Sequence, residues 1–309
     1  MASLPSDTPG ESSTRAGTVA LLGLPNAGKS SLLNRFLGQK LSIVSPRAQT
    51  TREKVLGIDT REGSQIIFTD TPGILETRYL LQEAMLEAAF EAMQDVDVRV
   101  FVLDAEDTGA TPQENVLSRL RSDSAPVIPV LNKVDLASEG QLEALASWTR
   151  EQFGTDGLRV SATTGEGMDT LRDRIVELLP ESPFLYPADE ISAQSVRFFV
   201  SELVREAAFE LYGEEIPYSI AVRVEEFREG SEPLYIRAHL FVERASQKGI
   251  VIGEKGKGIR NLGQRARAKI EEFLGTRVFL DLWVKVLPRW KKDPVALRRL
   301  GYSWTESKG

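Results

Sequence analysis

The eight residues 23–30, GLPNAGKS, restrict the folds open to this chain more than any other feature. They follow an apolar run, TVALLGL, and open a helical pattern, KSSLLNRFLG. The G-x-x-x-x-G-K-[ST] spacing lets bare backbone wrap an anion, whose charge meets successive N–H groups and a helix N-terminus. In this loop Gly23, Leu24, Pro25, Asn26, Ala27 and Gly28 form the cradle, with Ser31 completing it. Lys29 supplies a point charge for the β- and γ-phosphates, and the Ser30 hydroxyl is placed to ligate Mg²⁺. The apolar runs QIIFTD, VRVFVLDA, PVIPVL and LRVSA follow, separated by stretches with apolar residues every three or four positions. Such alternation predicts an α/β fold, a doubly wound and mostly parallel sheet with its ligand at the strands' carboxyl ends. KVLGIDT, residues 54–60, reads as an extra strand on an edge.

Three further motifs stand at those carboxyl ends. DTPG, residues 70–73, brings Asp70 within reach of the magnesium shell, followed by Thr71 and Pro72, and Gly73 offers an N–H to a γ-phosphate. Upstream, in AQTTRE (residues 48–53), Thr50 or Thr51 is placed to add a metal ligand from a loop ordered by the γ-phosphate. In NKVD, residues 132–135, Asp135 offers two acceptors to the N1–H and N2–H donors of guanine, which adenine lacks. Asn132 is expected to tie this loop to the first one, and the Lys133 stem to cover the base. VSAT, residues 160–163, places Ser161, Ala162 and Thr163 at the last strand's end, with the Ala162 N–H aimed at guanine O6. After Gly73 come Ile74 and Leu75. With no glutamine there to orient water, intrinsic hydrolysis is expected to be slow and driven by positioning and electrostatics.

The remainder of the chain has a different character. LLPESPFLYPADE, with Pro180, Pro183 and Pro187, breaks the alternation. The expected domains are a disordered tail at 1–16, a nucleotide domain at 17–180, a linker at 181–190, and a smaller α+β domain at 191–309 with a C-terminal tail. Its expected elements are a helix at 192–213, strands IPYSIAVRVEEF and PLYIRAHLFVER, a helix carrying Ile259, Leu262, Ala266, Ile270 and Phe273, and a third strand, TRVFLDLWVKV. The net charge is −7, yet residues 248–309 carry 15 Lys and Arg against 6 Asp and Glu. That asymmetry points to an anionic partner.

Within this basic part, VIGEKGKGIR is read as a loop between strand and helix. It is not a second phosphate loop of the first kind, because Gly258 rather than Ser or Thr follows Lys257. The spacing Gly253-x-x-Gly256 matches the G-x-x-G loop of a KH domain, which clamps about four nucleotides of single-stranded nucleic acid. The clamp residues are Ile252, Gly253, Glu254, Lys255, Gly256, Lys257 and Arg260. His239 is expected to be solvated, and Trp283 and Trp290 to pack against the sheet and terminal helix.

From residue 17 to 180 the motifs resemble the translation-factor-related GTPases. With the C-terminal half added, the whole chain resembles their Era-type members. The resemblance implies a Mg²⁺-dependent GTP/GDP switch that hydrolyses GTP, binds the three-prime end of small-subunit ribosomal RNA and acts in small-subunit assembly. It makes Lys29, Asn26, Thr51 and Gly73 the residues closest to the chemistry, with Ser30, Thr51 and Asp70 at the metal. Asn26 matches an asparagine that helps to hold K⁺ in potassium-stimulated relatives. The resemblance also implies loose association with the inner face of the cell membrane. A cytoplasmic monomer is expected, since no apolar run reaches the roughly 18 residues of a membrane span and the N-terminus has no signal-peptide core. The competing reading is a GTP-gated scaffold whose basic part binds anionic lipid. An RNA-modifying enzyme would need a catalytic cluster that is not evident, and the chain has no cysteine.

Overall fold

The computed structural model describes residues 14–302, apart from 46, 48, 75, 76, 110, 111, 113, 123 and 124. Most of the expected tail, and the end of the chain beyond Tyr302, lie outside the described residues.

The first body runs β1 (Arg15–Gly23), α1 (Lys29–Leu37), β2 (Val55–Arg61), β3 (Ser64–Asp70), α2 (Leu80–Glu91), β4 (Val98–Asp104), α3 (Glu114–Ser122), β5 (Val127–Asn132), α4 (Glu139–Phe153), β6 (Leu158–Arg159) and α5 (Met168–Leu178). Its sheet order is β2-β3-β1-β4-β5-β6. All pairings are parallel except that of β2 with β3, so KVLGIDT is the antiparallel edge strand. Strand β1 starts at Arg15, paired with Ser64, so the expected tail is shorter than 16 residues.

Alternate residues of β1 feed two cores. Val19 and Leu21 pack with Ile66, Phe68 and Val100 under α1 and α5. Ala20 and Leu22 pack with Phe101, Leu103 and Leu131 under α2, α3 and α4. A strand buried on both faces must be apolar throughout, which is why these runs lack polar alternation.

The second body contains α6 (Val196–Leu211), α7 (Ile216–Ser219), β7 (Ala221–Arg228), β8 (Leu234–Val242), α8 (Ala245–Ile252), α9 (Lys257–Leu274), β9 (Val278–Val286) and α10 (Pro294–Leu300). Its sheet is β7-β8-β9, antiparallel then parallel. Ile236, Ala238, Leu240 and Val242 of β8 face the core made with α6 and α9.

Three expectations are corrected here. The first helix starts at Val196, where the Ser195 side chain accepts the Phe198 N–H as N-cap. IPYS forms a helical turn with Pro217 in its first turn, so that strand begins only at Ala221. And α8 intervenes between β8 and the glycine loop, which therefore joins two helices.

The segment between the bodies lies along the sheet edge. The Gln65 side-chain carbonyl accepts the N–H groups of Leu185 and Tyr186 at 2.7 and 3.0 Å. The Ile58 N–H donates to Ile191 O at 2.9 Å. The Leu56 N–H donates to the side chain of Gln194, past the expected linker end at 190. A fourth apolar cluster spans both bodies, with Leu81 and Met85 of α2 against Phe241, Trp290 and Leu297. Among the described residues no helix is long and apolar enough to cross a membrane.

Candidate nucleotide site and nucleic-acid clamp

A cavity of about 490 Å³ opens at the carboxyl ends of β1, β3 and β4. The loop after β1 lines it, with Leu24, Pro25, Asn26, Gly28, Lys29, Ser30 and Ser31, facing Gln49, Thr50, Thr51 and Gly73. Gly28 has φ 94°, and a Cβ there would lie 2.1 Å from Asn132 Nδ2. Gly73 also meets the loop closely, because a Cβ would lie 2.7 Å from the Pro25 backbone. The next residue, Ile74, is buried, and its N–H donates to Gly23 O at 3.1 Å. An apolar side chain held inside the core cannot orient water; Leu75 lies outside the described residues.

Lys29 is buried, and its ammonium donates to the carbonyls of Gly23 and Leu24 at 3.1 and 2.9 Å. Burial lowers its pKa to about 8, against the charge of Asp70, which raises it. A phosphate oxygen at this point would restore the favourable charge interaction.

Ser30, Thr51 and Asp70 converge, though their elements are far apart in sequence. Ser30 Oγ donates to Asp70 Oδ2 at 2.7 Å, Thr51 Oγ1 reaches the same oxygen at 3.3 Å, and the two hydroxyls are 2.9 Å apart. Asp70 is fully buried, and its Oδ1 has no hydrogen-bond partner among the described residues. Burial raises the Asp70 pKa, opposed by the Ser30 hydrogen bond and the Lys29 charge. An orphaned buried carboxylate oxygen beside two hydroxyls fits a hard divalent cation that also takes phosphate and water oxygens. Thr51, not Thr50, occupies this corner; the Thr50 carbonyl accepts from the Arg205 guanidinium of α6.

At the far end of the cavity, Asn132 Nδ2 donates to Ala27 O at 2.9 Å, pinning NKVD to the phosphate loop. Its Oδ1 accepts the Ala162 N–H at 3.1 Å, so that donor, expected for guanine O6, is already engaged. Ser161 is buried with its hydroxyl accepting from the Thr164 N–H, while Thr163 and Asp135 are exposed, and Asp135 is not among the residues that line the cavity. The Thr71 hydroxyl donates to Leu21 O and so fixes the start of DTPG, where Pro72 is also buried. Asp104, at the end of β4, was not singled out from the sequence. It forms an ion pair with Lys133 that holds the stem over the cavity. A carboxylate ending a strand that is apolar apart from Arg99 was the available signal.

The second site is the turn between α8 and α9. Gly253 has φ 68°, Lys255 φ 49° and Gly256 φ 79°. A Cβ on Gly253 would lie 2.8 Å from the Gly258 nitrogen, and one on Gly258 would lie 2.6 Å from Val251 O, so the close packing of this turn needs Gly258 as well as Gly253. Gly256 faces open space and caps α9, leaving that helix N-terminus bare. Glu254, Lys255, Lys257 and Arg260 are exposed around it, while Ile252 is half-buried against the core. Tyr212 anchors α8 by donating to Val251 O at 3.0 Å. Two side chains depart from expectation: His239 is only 13% exposed, with Nδ1 3.1 Å from Glu225, and Trp283 is 54% exposed. Trp290 is fully buried, as expected, and its indole N–H donates to Ser219 O.

Residues 18–133 match the family model described as 50S ribosome-binding GTPase, and residues 215–291 match the KH domain. GTPase Era of Halothermothrix orenii is 41% identical over 291 residues, covering 94% of this chain and 99% of that protein. The Thermosipho melanesiensis GTPase Era is 44% identical over 291 residues, covering 93% and 97%. Two solved structures superpose with TM-score 0.89 and 38% identity over 94% of this chain and all of theirs. One is a single-residue variant of Aquifex aeolicus Era bound to GDP.AlF4⁻, the other Era with MgGDPNP and nucleotides 1506–1542 of 16S ribosomal RNA. With a GTPase match and a KH-domain match on one chain, and relatives matched almost end to end, this protein belongs to the Era family of GTPases.

Proposed function

We propose that this chain is a GTP-hydrolysing switch that binds the three-prime end of small-subunit ribosomal RNA during small-subunit assembly. The body from β1 to α5 acts as the switch and the body from α6 to α10 as the RNA-binding part, joined by the segment between them. Mg²⁺, held by Ser30, Thr51 and Asp70, supplies charge neutralisation at the β- and γ-phosphates. Lys29 turns from the Gly23 and Leu24 carbonyls toward phosphate, and the Gly73 N–H meets the γ-phosphate. No side chain acts as general base, so hydrolysis rests on positioning and charge, with K⁺ at Asn26 as an added cation. Asp135 selects guanine, with Lys133 over the base.

One observation carries the switch reading. Thr51 stands at the metal corner, while its neighbour Arg52 donates to Ile220 O at 2.7 Å, Tyr218 O at 3.0 Å and Pro217 O at 3.2 Å. A loop that responds to γ-phosphate is thus bonded to the body that carries the clamp.

The test uses short single-stranded RNA from the three-prime end of small-subunit ribosomal RNA and anionic vesicles as competing ligands. Gly256→Asp places a side chain and a negative charge where an RNA backbone would press. Loss of RNA binding in this variant, with Lys29→Ala abolishing nucleotide binding separately, is the expected pattern. Retained RNA binding, or vesicle binding in place of RNA binding, refutes it and favours the lipid scaffold.

A further inference from the structure

The outer face of the KH-type sheet carries aromatic rings that neither the nucleotide site nor the clamp uses. β9 is the edge of that sheet, and β8 and β9 pair in register Tyr235↔Phe279, Arg237↔Asp281 and His239↔Trp283. Leu280, Leu282 and Val284 turn inward to the core, while Phe279 and Trp283 are 56% and 54% exposed. Two large rings at that exposure on one strand face leave apolar surface in water, and burying it would stabilise the domain further.

The face is also held rigid. Tyr235 stacks on Phe279 with centroids 5.8 Å apart and planes 11° from parallel. The Tyr235 hydroxyl and the Arg237 guanidinium both donate to Asp281 Oδ2, at 3.0 and 2.9 Å. Arg228 lies 4.5 Å over the Tyr235 ring. Asp281 is therefore engaged, Glu226 is paired with Arg228 and Arg237, Glu225 lies beside His239, and Lys285 and Arg277 are exposed nearby.

Phe279 belongs to two places at once. A groove of about 530 Å³ runs from Gly256 past Arg260, Gln264 and Arg267 to Phe279 and Leu282. A strand seated at the clamp and following those cations along α9 arrives at the edge of β9. Beyond that edge lies the aromatic face.

Resting on the RNA-binding reading above, we infer that this outer sheet face is a second stacking subsite, where bases of single-stranded RNA beyond the clamped nucleotides stack on Phe279 and Trp283. Aromatic rings on an open sheet face stack two or three bases in other RNA-binding sheets. Such stacking tolerates any base, because every base has a π-face. The subsite thus lengthens the footprint without demanding a particular sequence.

Full-length protein is titrated with a four-nucleotide and a ten-nucleotide single-stranded RNA from the three-prime end of small-subunit ribosomal RNA. Trp283→Ala is expected to weaken the ten-nucleotide RNA about 5- to 100-fold and leave the four-nucleotide RNA unchanged. Trp283→Phe keeps the ring and should keep the affinity, which separates stacking from a folding defect. Among the described tryptophans, Trp283 is the exposed one. Its emission should therefore be quenched by the longer RNA and not by the shorter. Equal ten-nucleotide affinity in wild type and the alanine variant, or no quenching, overturns the subsite and assigns the face to another partner. Failure of the four-nucleotide RNA to bind wild type, or its indifference to Lys255→Ala/Lys257→Ala, instead overturns the clamp reading on which the subsite rests.

Discussion

Asp135 is exposed, unlike Asn132, which is buried and bonded on both sides. Structure and recognition are therefore separable within four residues. Asp135→Asn replaces one acceptor with a donor, so guanine's N1–H and N2–H cannot both be met, whereas the carbonyl of xanthine can. The variant is expected to lose about 1–3 kcal/mol of GTP affinity and gain xanthosine triphosphate binding without a change in Tm. Competition titration of the two nucleotides checks this, and unchanged GTP affinity contradicts it. At the α8–α9 turn, Lys255 and Lys257 are exposed, with no ion-pair partner among the described residues. If each neutralises one phosphate, the double alanine variant flattens the log K against log salt slope by about 1.4 for a single strand. An unaltered slope would leave these lysines as solubilising charges.

At the scale of elements, the loop leading into β2 carries a half-buried acid, Glu53. Burial pushes the Glu53 pKa from 4.5 up to about 8, helped by Glu202 of α6, against the charges of Arg205 and Arg52. Tyr302, just past α10, faces the same cluster. Between pH 4.5 and about 8 the folded state holds a proton that the unfolded chain has released, so this group makes stability fall as pH rises through that window. Glu53→Gln stays neutral throughout. Its stability should therefore be flatter with pH than wild type, and higher at about pH 8 by about 1–3 kcal/mol. Parallel denaturation curves at about pH 5 and about pH 8 for the two proteins would contradict the buried proton.

Helix α8 shows where the sequence stopped being legible at this scale. Its residues, ASQKGIVI, combine a mid-element glycine with β-branched neighbours, which argues for strand or loop. Tertiary context wins. The Gln247 side chain accepts the N–H groups of Glu243 and Arg244, both at 3.0 Å, and Val251 is buried at the other end. The nucleotide motifs were legible because phosphate binding dictates both residue type and spacing. The partner of Lys133, by contrast, is 29 positions away, and nothing local to either residue announces it.

Across the whole molecule, the bodies are joined by more than a tether. Arg52 reaches three carbonyls next to β7, and buried Glu206 of α6 pairs with Lys40 at 2.6 Å and Lys269 at 3.1 Å. The Lys40 contact belongs to the nucleotide body and the Lys269 contact to the clamp helix α9. These contacts could not be read from the sequence, because they depend on how two separately patterned domains meet. If γ-phosphate and Mg²⁺ draw Thr51 into their coordination, Arg52 must move with it, and the docking of the clamp body changes. Coupling between such sites is commonly worth about 1–3 kcal/mol and is reciprocal.

The decisive measurement is a titration of fluorescent three-prime-end RNA against protein saturated with a non-hydrolysable GTP analogue or with GDP, in wild type and in Arg52→Ala. The account predicts tighter RNA binding in the analogue state by about 5- to 150-fold. RNA should tighten analogue binding by the same factor, and both differences should shrink in Arg52→Ala. Equal RNA affinity in the two nucleotide states of wild type would contradict it, leaving a GTPase and an RNA clamp that share a chain without sensing one another.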